Sequence, residues 1–220
     1  MANKPILFNT EMVRAILSGR KTVTRRVVKL KHGLTNEMLS KLEIRPIAAL
    51  WLSNIKAPYQ PGDILYVRET WQPNPYGIGW PYFYKASPEQ FDHTPDKWRP
   101  SIHMPKEAAR LFLQVTDVRV ERLQDMTEDD VVAEGAEPLI FCQNEHGVIE
   151  PDGTLGDMCW NTGCCGWHCK YIEKSYGELF GEIVWDSTIK PADRDKYGWD
   201  ANPWVWVIGF ERTETNKRTI

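Results

Sequence analysis

The sequence predicts an α+β fold in which a small β-barrel is packed by a few helices. Segments with the alternation typical of strands outnumber those with helical periodicity, and they are scattered along the whole chain of 220 residues. Hydrophobic residues make up 42% and charged residues 26%, so the chain can bury a core. We expect a single domain over residues 1–220, decorated by insertions at about 72–105 and 136–170.

The first elements are predicted from short local patterns. Residues 4–8 form an apolar strand, and Thr10 is placed to cap a helix that runs through Ser18. Gly19 is the expected stop of this helix. Residues 20–28 then alternate and end in two valines, which indicates a strand.

The middle of the chain contains two further strand patterns. The stretch QPGDILYVRETW, residues 60–71, is a turn followed by a strand. Residues 72–105 are rich in Pro, Gly and aromatics, which indicates a long loop with one short strand at Tyr82–Lys85. Residues 109–123 form the longest strand pattern of the chain.

Two helices and a terminal strand are expected in the remaining half. Thr127 and Asp130 resemble a capping box for a helix over 127–135. A second apolar helix is expected over 175–185. Residues 202–212, NPWVWVIGFER, form a strand that is apolar on both faces, and we interpret its two tryptophans as packing residues.

Charge and hydropathy limit the class of protein. The net charge is −3, so the whole chain is not a polybasic nucleic-acid binder, and any anion site must be a local patch. The N-terminal stretch has no apolar run of the length that a signal peptide needs, and no later segment has about 18 apolar residues in a row. We therefore expect a cytoplasmic protein with no membrane partner.

The stretch GRKTVTRR, residues 19–26, concentrates positive charge and hydroxyl groups. Its cations and threonines are Arg20, Lys21, Thr22, Thr24, Arg25 and Arg26. A charge run of this kind is often only a solvated edge strand. The alternatives are a phosphate-binding stripe or the wall of a ligand pocket, and the stretch alone does not decide between them.

Several stretches together resemble one known family. ILSGRKTVTRR, GDILYVRETW, VERLQDMTEDDVVAEG and NPWVWVIGFER are similar to the ASCH domain, and they span nearly the whole chain from Lys4 to Arg212. The longer form, with WRPSIHMP and YGWDANPWVWVI, resembles ASCH proteins that are common in bacteriophages and prophages. The resemblance implies a PUA-like β-barrel.

The resemblance also implies two functions. PUA-like barrels generally bind RNA or modified nucleobases, which predicts a basic ligand pocket beside the barrel. A bacterial ASCH branch hydrolyses N4-acetylcytidine with a Lys, a Thr and a Glu, and these positions fall on Lys21, Thr24 and Glu134. We expect a binding protein for RNA or a modified nucleotide, and an amidohydrolase for N4-acylated cytidines is the alternative. Further alternatives are a nuclease activity and a regulatory role in a phage.

Amide hydrolysis gives each of the three residues a role. Thr24 is the candidate nucleophile, and Lys21 is its base if neighbouring cations lower the pKa of the ammonium. Glu134 holds Lys21 or relays protons. Residues 21 and 24 would lie on opposite faces of a regular strand, so they can meet only if the backbone turns between them or the strand begins near Thr24.

Five further residues are candidates for ligand contacts: Arg20, Arg25, Arg26, Arg68 and Trp71. Arginines would hold phosphate or a base edge. For Arg68 the alternative is a structural ion pair with the adjacent Glu69. For Trp71 the alternative to base stacking is a place in the core.

A cysteine cluster lies in the second predicted insertion. CWNTGCCGWHC crowds four cysteines into eleven residues, which in a cytoplasmic protein favours a metal over disulfides. The expected ligands of a structural Zn²⁺ are Cys142, Cys159, Cys164 and Cys169, with Cys165 or His168 as substitutes. An iron–sulfur cluster and free thiols are the alternatives, and no organic cofactor is expected.

Overall fold

The structure is a computed structural model of the protein. It describes residues 3–29, 56–76, 79–87, 95, 97–136, 138–139, 159–160 and 180–213. Within these segments the fold is mixed α+β, with a core made mainly of sheet and with few helices. This confirms the α+β part of the predicted fold, whereas the predicted barrel remains a proposal. No helix in the described segments is long and apolar enough to cross a membrane.

The main sheet is formed by five strands: β1 (Asn3–Leu7), β2 (Val23–Val27), β3 (Ile64–Arg68), β6 (Phe112–Arg122) and β9 (Trp204–Thr213). Their order in the sheet is β1-β3-β6-β9-β2. β1 pairs with β3 in parallel, and β3 pairs with β6 antiparallel. All five strands were expected from the sequence, with ends that differ by a few residues.

Two small sheets accompany the main one. In the first, β4 (Trp71–Pro73) pairs antiparallel with β5 (Tyr82–Tyr84), and in the second, β7 (Pro138–Leu139) pairs antiparallel with β8 (Cys159–Trp160). The short strand expected at Tyr82–Lys85 is therefore confirmed. Most of the insertion expected at 136–170 lies outside the described residues.

The first helix, α1 (Thr10–Leu17), begins and ends by recognisable local interactions. Its N-cap is Asn9, whose side chain accepts a hydrogen bond from the backbone N of Met12. The sequence had suggested Thr10 as the cap, one residue too late. Gly19 follows the helix with a φ of 78°, a left-handed conformation that glycine adopts without a steric penalty.

The second helix, α2 (Glu128–Ala133), has the capping box that the sequence predicts. The Thr127 hydroxyl accepts from the backbone N of Asp130, and the Asp130 carboxylate accepts from the backbone N of Thr127. Gly135 ends the helix with a φ of 85°. These contacts fix Glu134 at the C-terminal end of α2.

The helix expected over 175–185 is described only from Phe180. It is a π-helical turn at Phe180–Trp185 that continues into a short α-helical turn at Asp186–Thr188. Gly181 lies so close to Trp199 that a Cβ atom there would be 2.0 Å from the indole. This segment therefore packs tightly against the Trp199 side chain.

The chain divides into two compact units. The first comprises Met1–Thr24, Ala57–Val118 and Val207–Ile220, and the second comprises Arg25–Lys56 and Arg119–Trp206. The first buries apolar residues that include Ile6, Val13, Leu65, Val67 and Leu113. The second buries Leu123, Val131, Trp185, Trp199 and Trp204 among others.

Candidate functional site

The backbone turns sharply between α1 and β2, the stretch that carries Lys21. The backbone N of both Arg20 and Lys21 donates to the carbonyl of Ala15, at 2.9 and 3.0 Å. β2 begins only at Val23. Lys21 thus precedes the strand, and the rule that separates residues 21 and 24 onto opposite strand faces does not apply. The geometric condition set by the sequence is met.

Lys21 is buried, with 2% of its surface exposed. Its Nζ donates to the carbonyl of Val23 at 2.8 Å and lies 5.7 Å from the ring centroid of Phe8. Thr24 is exposed by only 1%. A buried ammonium is costly unless its environment supplies compensation, so this lysine is not a residue of a solvated strand. The solvated-strand alternative is therefore wrong for Lys21 and Thr24.

Arg25 is the centre of an ion cluster in the second unit. Its side chain is 0% exposed, and its guanidinium lies 2.7 Å from Glu121, 3.0 Å from Asp130 and 3.3 Å from Glu134. Arg119 joins the same cluster, at 3.2 Å from both Glu121 and Asp130. Arg25 therefore directs its donors towards three carboxylates.

The protonation equilibria of the cluster follow from these contacts. Burial disfavours the charged form of Arg25, but Glu134, Glu121 and Asp130 outweigh it, and the net effect raises the pKa of the guanidinium. Burial also disfavours ionisation of Asp130, but hydrogen bonds from Thr127 and the charge of Arg25 lower the pKa of that carboxyl overall. Both groups are held ionised.

The sequence predicts a basic pocket around the stretch 19–26, but the side chains that surround Arg25 are mainly acidic. Two guanidinium groups face three carboxylates, so these five side chains carry a formal excess of one negative charge. The reason is that the carboxylates come from distant parts of the sequence, 96 and 109 positions from Arg25 for Glu121 and Glu134. Sequence reasoning identified Glu134 but missed Glu121, Asp130 and Arg119 as its neighbours.

Glu134 has an unusual place for a carboxylate. It is 8% exposed and caps the C-terminal end of α2, where the backbone carbonyls repel negative charge. Arg25 supplies the compensating charge, with a hydrogen bond from Nη1 to Oε1. The arrangement fixes an acceptor-only carboxylate in a defined direction.

Arg20 and Arg26 are partly exposed, unlike Arg25. Arg20 Nε donates to the Ser18 hydroxyl at 3.1 Å, and Arg26 Nη1 donates to the carbonyl of Arg25 at 2.8 Å. Both side chains are anchored close to their own backbone. Of the predicted ligand-binding arginines in this stretch, these two reach solvent.

Arg68 does not pair with Glu69 in the structure. Its guanidinium donates to the carbonyls of Met104, at 2.8 Å, and Ile102. Glu69, which is 1% exposed, instead receives two hydrogen bonds from Arg110, at 2.8 and 2.9 Å. Adjacent residues at a strand end point to opposite sides, so the expected ion pair was assigned to the wrong arginine.

Trp71 is buried in a small apolar cluster of the first unit. It is 4% exposed, and its ring meets Tyr82 edge-on with centroids 5.6 Å apart. Arg99 lies 5.6 Å from the ring. This burial favours the packing alternative over base stacking. Trp204 and Trp206 are also buried, as expected for packing residues.

The cysteines of the proposed zinc site lie outside what the structure describes. Cys142, Cys164 and Cys169 are among the undescribed residues, as are the substitutes Cys165 and His168. Only the backbone of Cys159 is described, in β8, where it pairs with Leu139. Among the residues that the structure describes, no group of potential metal ligands is found.

Comparisons with known proteins assign neither a family nor a fold to this chain. No family model matches the sequence, and no curated protein matches it. A crystal structure of a protein from Enterococcus faecalis V583, assigned to the family DUF984, is similar at 10% identity and a TM-score of 0.32. The match covers 91% of this chain and 65% of that protein, so this chain spans less than two thirds of its length.

Proposed function

We propose that this protein is an ASCH-type protein with a PUA-like barrel, and that it binds RNA or a modified nucleobase through Glu134 and the stretch 19–26. The observation that carries the proposal is the burial of charge. Lys21, Thr24, Arg25 and Glu134 make up four of the seven buried polar or charged residues among those described. Buried ionisable groups are concentrated at functional sites because their desolvation must be compensated.

The chemistry of Glu134 fits recognition of a base edge. A carboxylate accepts hydrogen bonds, and in nucleic-acid complexes Glu and Asp accept from the exocyclic amino group of cytosine. Arg25 supports this role because it keeps the carboxylate oriented through a hydrogen bond of 3.3 Å. The excess negative charge of the cluster favours an amino group over a phosphate at this position.

The phosphate contacts of an RNA ligand are assigned to Arg20 and Arg26. Both are partly exposed, whereas Arg25 is enclosed by carboxylates. A guanidinium at the surface gives affinity that depends on salt but carries no sequence information. Base recognition is thus assigned to Glu134, and phosphate contact to the stretch 19–26.

Titration with a labelled single-stranded RNA tests the binding function. We expect affinity to fall as salt rises from about 50 to 200 mM, and Arg20→Gln with Arg26→Gln to reduce the slope of this dependence. Arg194→Gln, an exposed arginine elsewhere, is the matched control. Salt-independent binding, or a slope that the double variant leaves unchanged, contradicts the assignment.

Hydrolysis of N4-acetylcytidine is a second candidate function, favoured by the position of Lys21 before β2. In this alternative Thr24 attacks the acyl carbonyl, and Lys21 accepts the hydroxyl proton. The bond between the carbonyl carbon and N4 breaks, N4 takes a proton to become the amino group of cytidine, and water then releases acetate from Thr24. Glu134 relays protons.

Chromatography of cytidine released from N4-acetylcytidine tests the hydrolase. Wild type should release cytidine from N4-acetylcytidine. Lys21→Ala and Thr24→Val should each lower this activity by at least about a hundredfold, the range for removing a general base. Thr22→Val is the matched control, since Thr22 is exposed and lies two positions from Thr24. Absence of turnover in wild type rejects this function and leaves the binding proposal standing.

We also propose a structural zinc ion held by Cys142, Cys159, Cys164 and Cys169. Such a site would stabilise a segment through its metal–ligand bonds and would not itself be catalytic. Metal analysis of the purified protein should find one zinc per chain. Cys164→Ser should lose it and Cys165→Ser should keep it, whereas a metal-free wild type contradicts the site.

A further inference from the structure

Two buried N–H groups of the second unit lack an acceptor in the part of the chain that the structure describes. They are Nη1 of Arg122, near the end of β6, and Nε1 of Trp204, at the start of β9. The Arg122 guanidinium lies 5.3 Å from the centroid of the Trp204 ring. The two donors therefore belong to one stacked pair.

Several other buried donors in the described chain find acceptors, although Nε1 of Trp71, in the first unit, is a third that does not. Arg25 binds carboxylates, Arg68 binds two carbonyls, and Arg110 binds Glu69. Trp185 Nε1 donates to the carbonyl of Tyr197 at 2.8 Å. Burying a donor without a partner is unfavourable, so two such donors in one stacked pair indicate an acceptor outside the described residues.

The surroundings of the pair are held in place by hydrogen bonds. The backbone N of Leu123 donates to the carbonyl of Pro203 at 3.0 Å, and that of Gln124 donates to Asn202 Oδ1 at 2.9 Å. Gln124 Nε2 donates to the carbonyl of Trp199 at 2.9 Å. Asn202 has a φ of 42°, a left-handed conformation that asparagine tolerates better than most residues. The loop before Trp204 is thus fixed to the turn after Arg122.

We propose that Arg122 and Trp204 form an oxyanion-binding site that takes a phosphate oxygen. A phosphate oxygen accepts from both a guanidinium N–H and an indole N–H, and it supplies the negative charge that a partly buried arginine needs. Asp125 stabilises the guanidinium only through space, and burial still lowers the pKa of Arg122 overall. A neutral water would satisfy the hydrogen bonds but would leave the charge uncompensated.

This site goes beyond the proposed function and does not depend on it. The cluster around Glu134 carries an excess of negative charge, whereas Arg122 and Trp204 offer only donors. The phosphate has two sources, the free ion or the phosphate group of a nucleotide. Inorganic phosphate, cytidine and cytidine monophosphate separate these sources.

Calorimetric titration of the full chain with inorganic phosphate, at constant ionic strength, tests the site. We expect saturable binding that Trp204→Phe and Arg122→Gln each weaken by about tenfold, the effect of losing one hydrogen bond to a charged group. Trp206→Phe and Arg212→Gln are the matched controls and should bind as wild type does. Trp204→Phe keeps the aromatic packing, so it decides the test if Arg122→Gln fails to fold.

Absence of phosphate binding by wild type, or equal affinity in Trp204→Phe and Trp206→Phe, overturns the site. If phosphate binds as expected, titration with cytidine monophosphate shows whether the natural ligand is a nucleotide phosphate or the free ion. Tighter binding than inorganic phosphate, with the same loss in Trp204→Phe, assigns the site to a nucleotide phosphate. Equal affinities assign it to the free ion. Neither result tests Glu134. Binding of cytidine, which has no phosphate group, tests that residue separately.

Discussion

Two ion clusters, one in each unit, compensate buried charge in different ways. Glu69 and Arg110 in the first unit form a bidentate pair, with one carboxylate and one guanidinium at 2.8 and 2.9 Å. Arg25 in the second unit faces three carboxylates. The first cluster pairs one carboxylate with one guanidinium. In the second, three carboxylates face Arg25, and Glu134 is the one that belongs to the proposed ligand site.

The neutral pair also shows why burial alone does not define a site. Arg110 stacks on the ring of Tyr84 at 4.1 Å, and Tyr84 in turn donates to the carbonyl of Ala108 at 2.8 Å. The pair is thus joined by two hydrogen bonds and packed against an aromatic ring within the first unit. We therefore interpret Glu69 as a structural residue and use it as the reference for Glu134.

Removal of Arg25 should produce the largest effect. Arg25→Met leaves three carboxylates clustered without the guanidinium that they share, and should lower the free energy of unfolding by about 3–5 kcal/mol. Urea unfolding measures this loss. A loss below about 1 kcal/mol, the value of an exposed ion pair, contradicts the central role of Arg25.

Removal of Arg110 should destabilise the protein less than removal of Arg25. Arg110→Met leaves a single carboxyl, Glu69, which avoids buried charge by taking up a proton. We expect a loss of about 2–3 kcal/mol in urea unfolding near neutral pH, smaller than for Arg25→Met. An equal or larger loss would mean that the neutral pair, not the charged cluster, dominates the energetics.

The two clusters should respond to pH with opposite sign. Burial raises the pKa of Glu69 above its usual value near 4.5, although Arg110 opposes the shift. The folded state therefore binds the proton more tightly, and stability falls as pH rises from about 4.5 through the raised pKa. The pKa of Asp130 is lowered below about 3.8, so its stabilisation is lost as pH falls below that value.

Urea unfolding of wild type, Glu69→Gln and Asp130→Asn across the acidic range measures both contributions. Relative to Glu69→Gln, wild type should become less stable as pH rises above about 4.5. Relative to Asp130→Asn, wild type should become less stable as pH falls below about 3.8. The same sign in both comparisons would contradict the assignment.

Loss of the capping box should have the smallest effect on stability. Thr127→Ala removes the hydroxyl that caps α2 and binds Asp130, and should cost about 1 kcal/mol. Asn9→Ala, which removes the cap of α1, is the matched control with a similar cost. Only Thr127→Ala should raise the pKa of Asp130, as followed by NMR, because Thr127 is the cap that contacts the ion cluster.

Local sequence patterns predicted the helices and strands, whereas the candidate site depends on contacts between residues far apart in the sequence. The Thr127–Asp130 capping box and the Gly19 stop act within a few residues, so the sequence determines them directly. Arg25 and Glu134 are 109 positions apart, and no local pattern indicates that they meet. The resemblance to the ASCH domain identified Glu134, but neither Arg25 as its partner nor the orphaned donors of Arg122 and Trp204.

Calorimetric titration of wild type, Glu134→Gln and Glu69→Gln with a cytidine-containing single-stranded RNA tests the central claim most directly. Wild type and Glu69→Gln should bind alike, and Glu134→Gln should lose about tenfold or more in affinity, because an amide replaces the carboxylate that accepts from the base. Circular dichroism checks that all three are folded. Equal affinity of the three folded proteins, or no binding by wild type, would contradict the account.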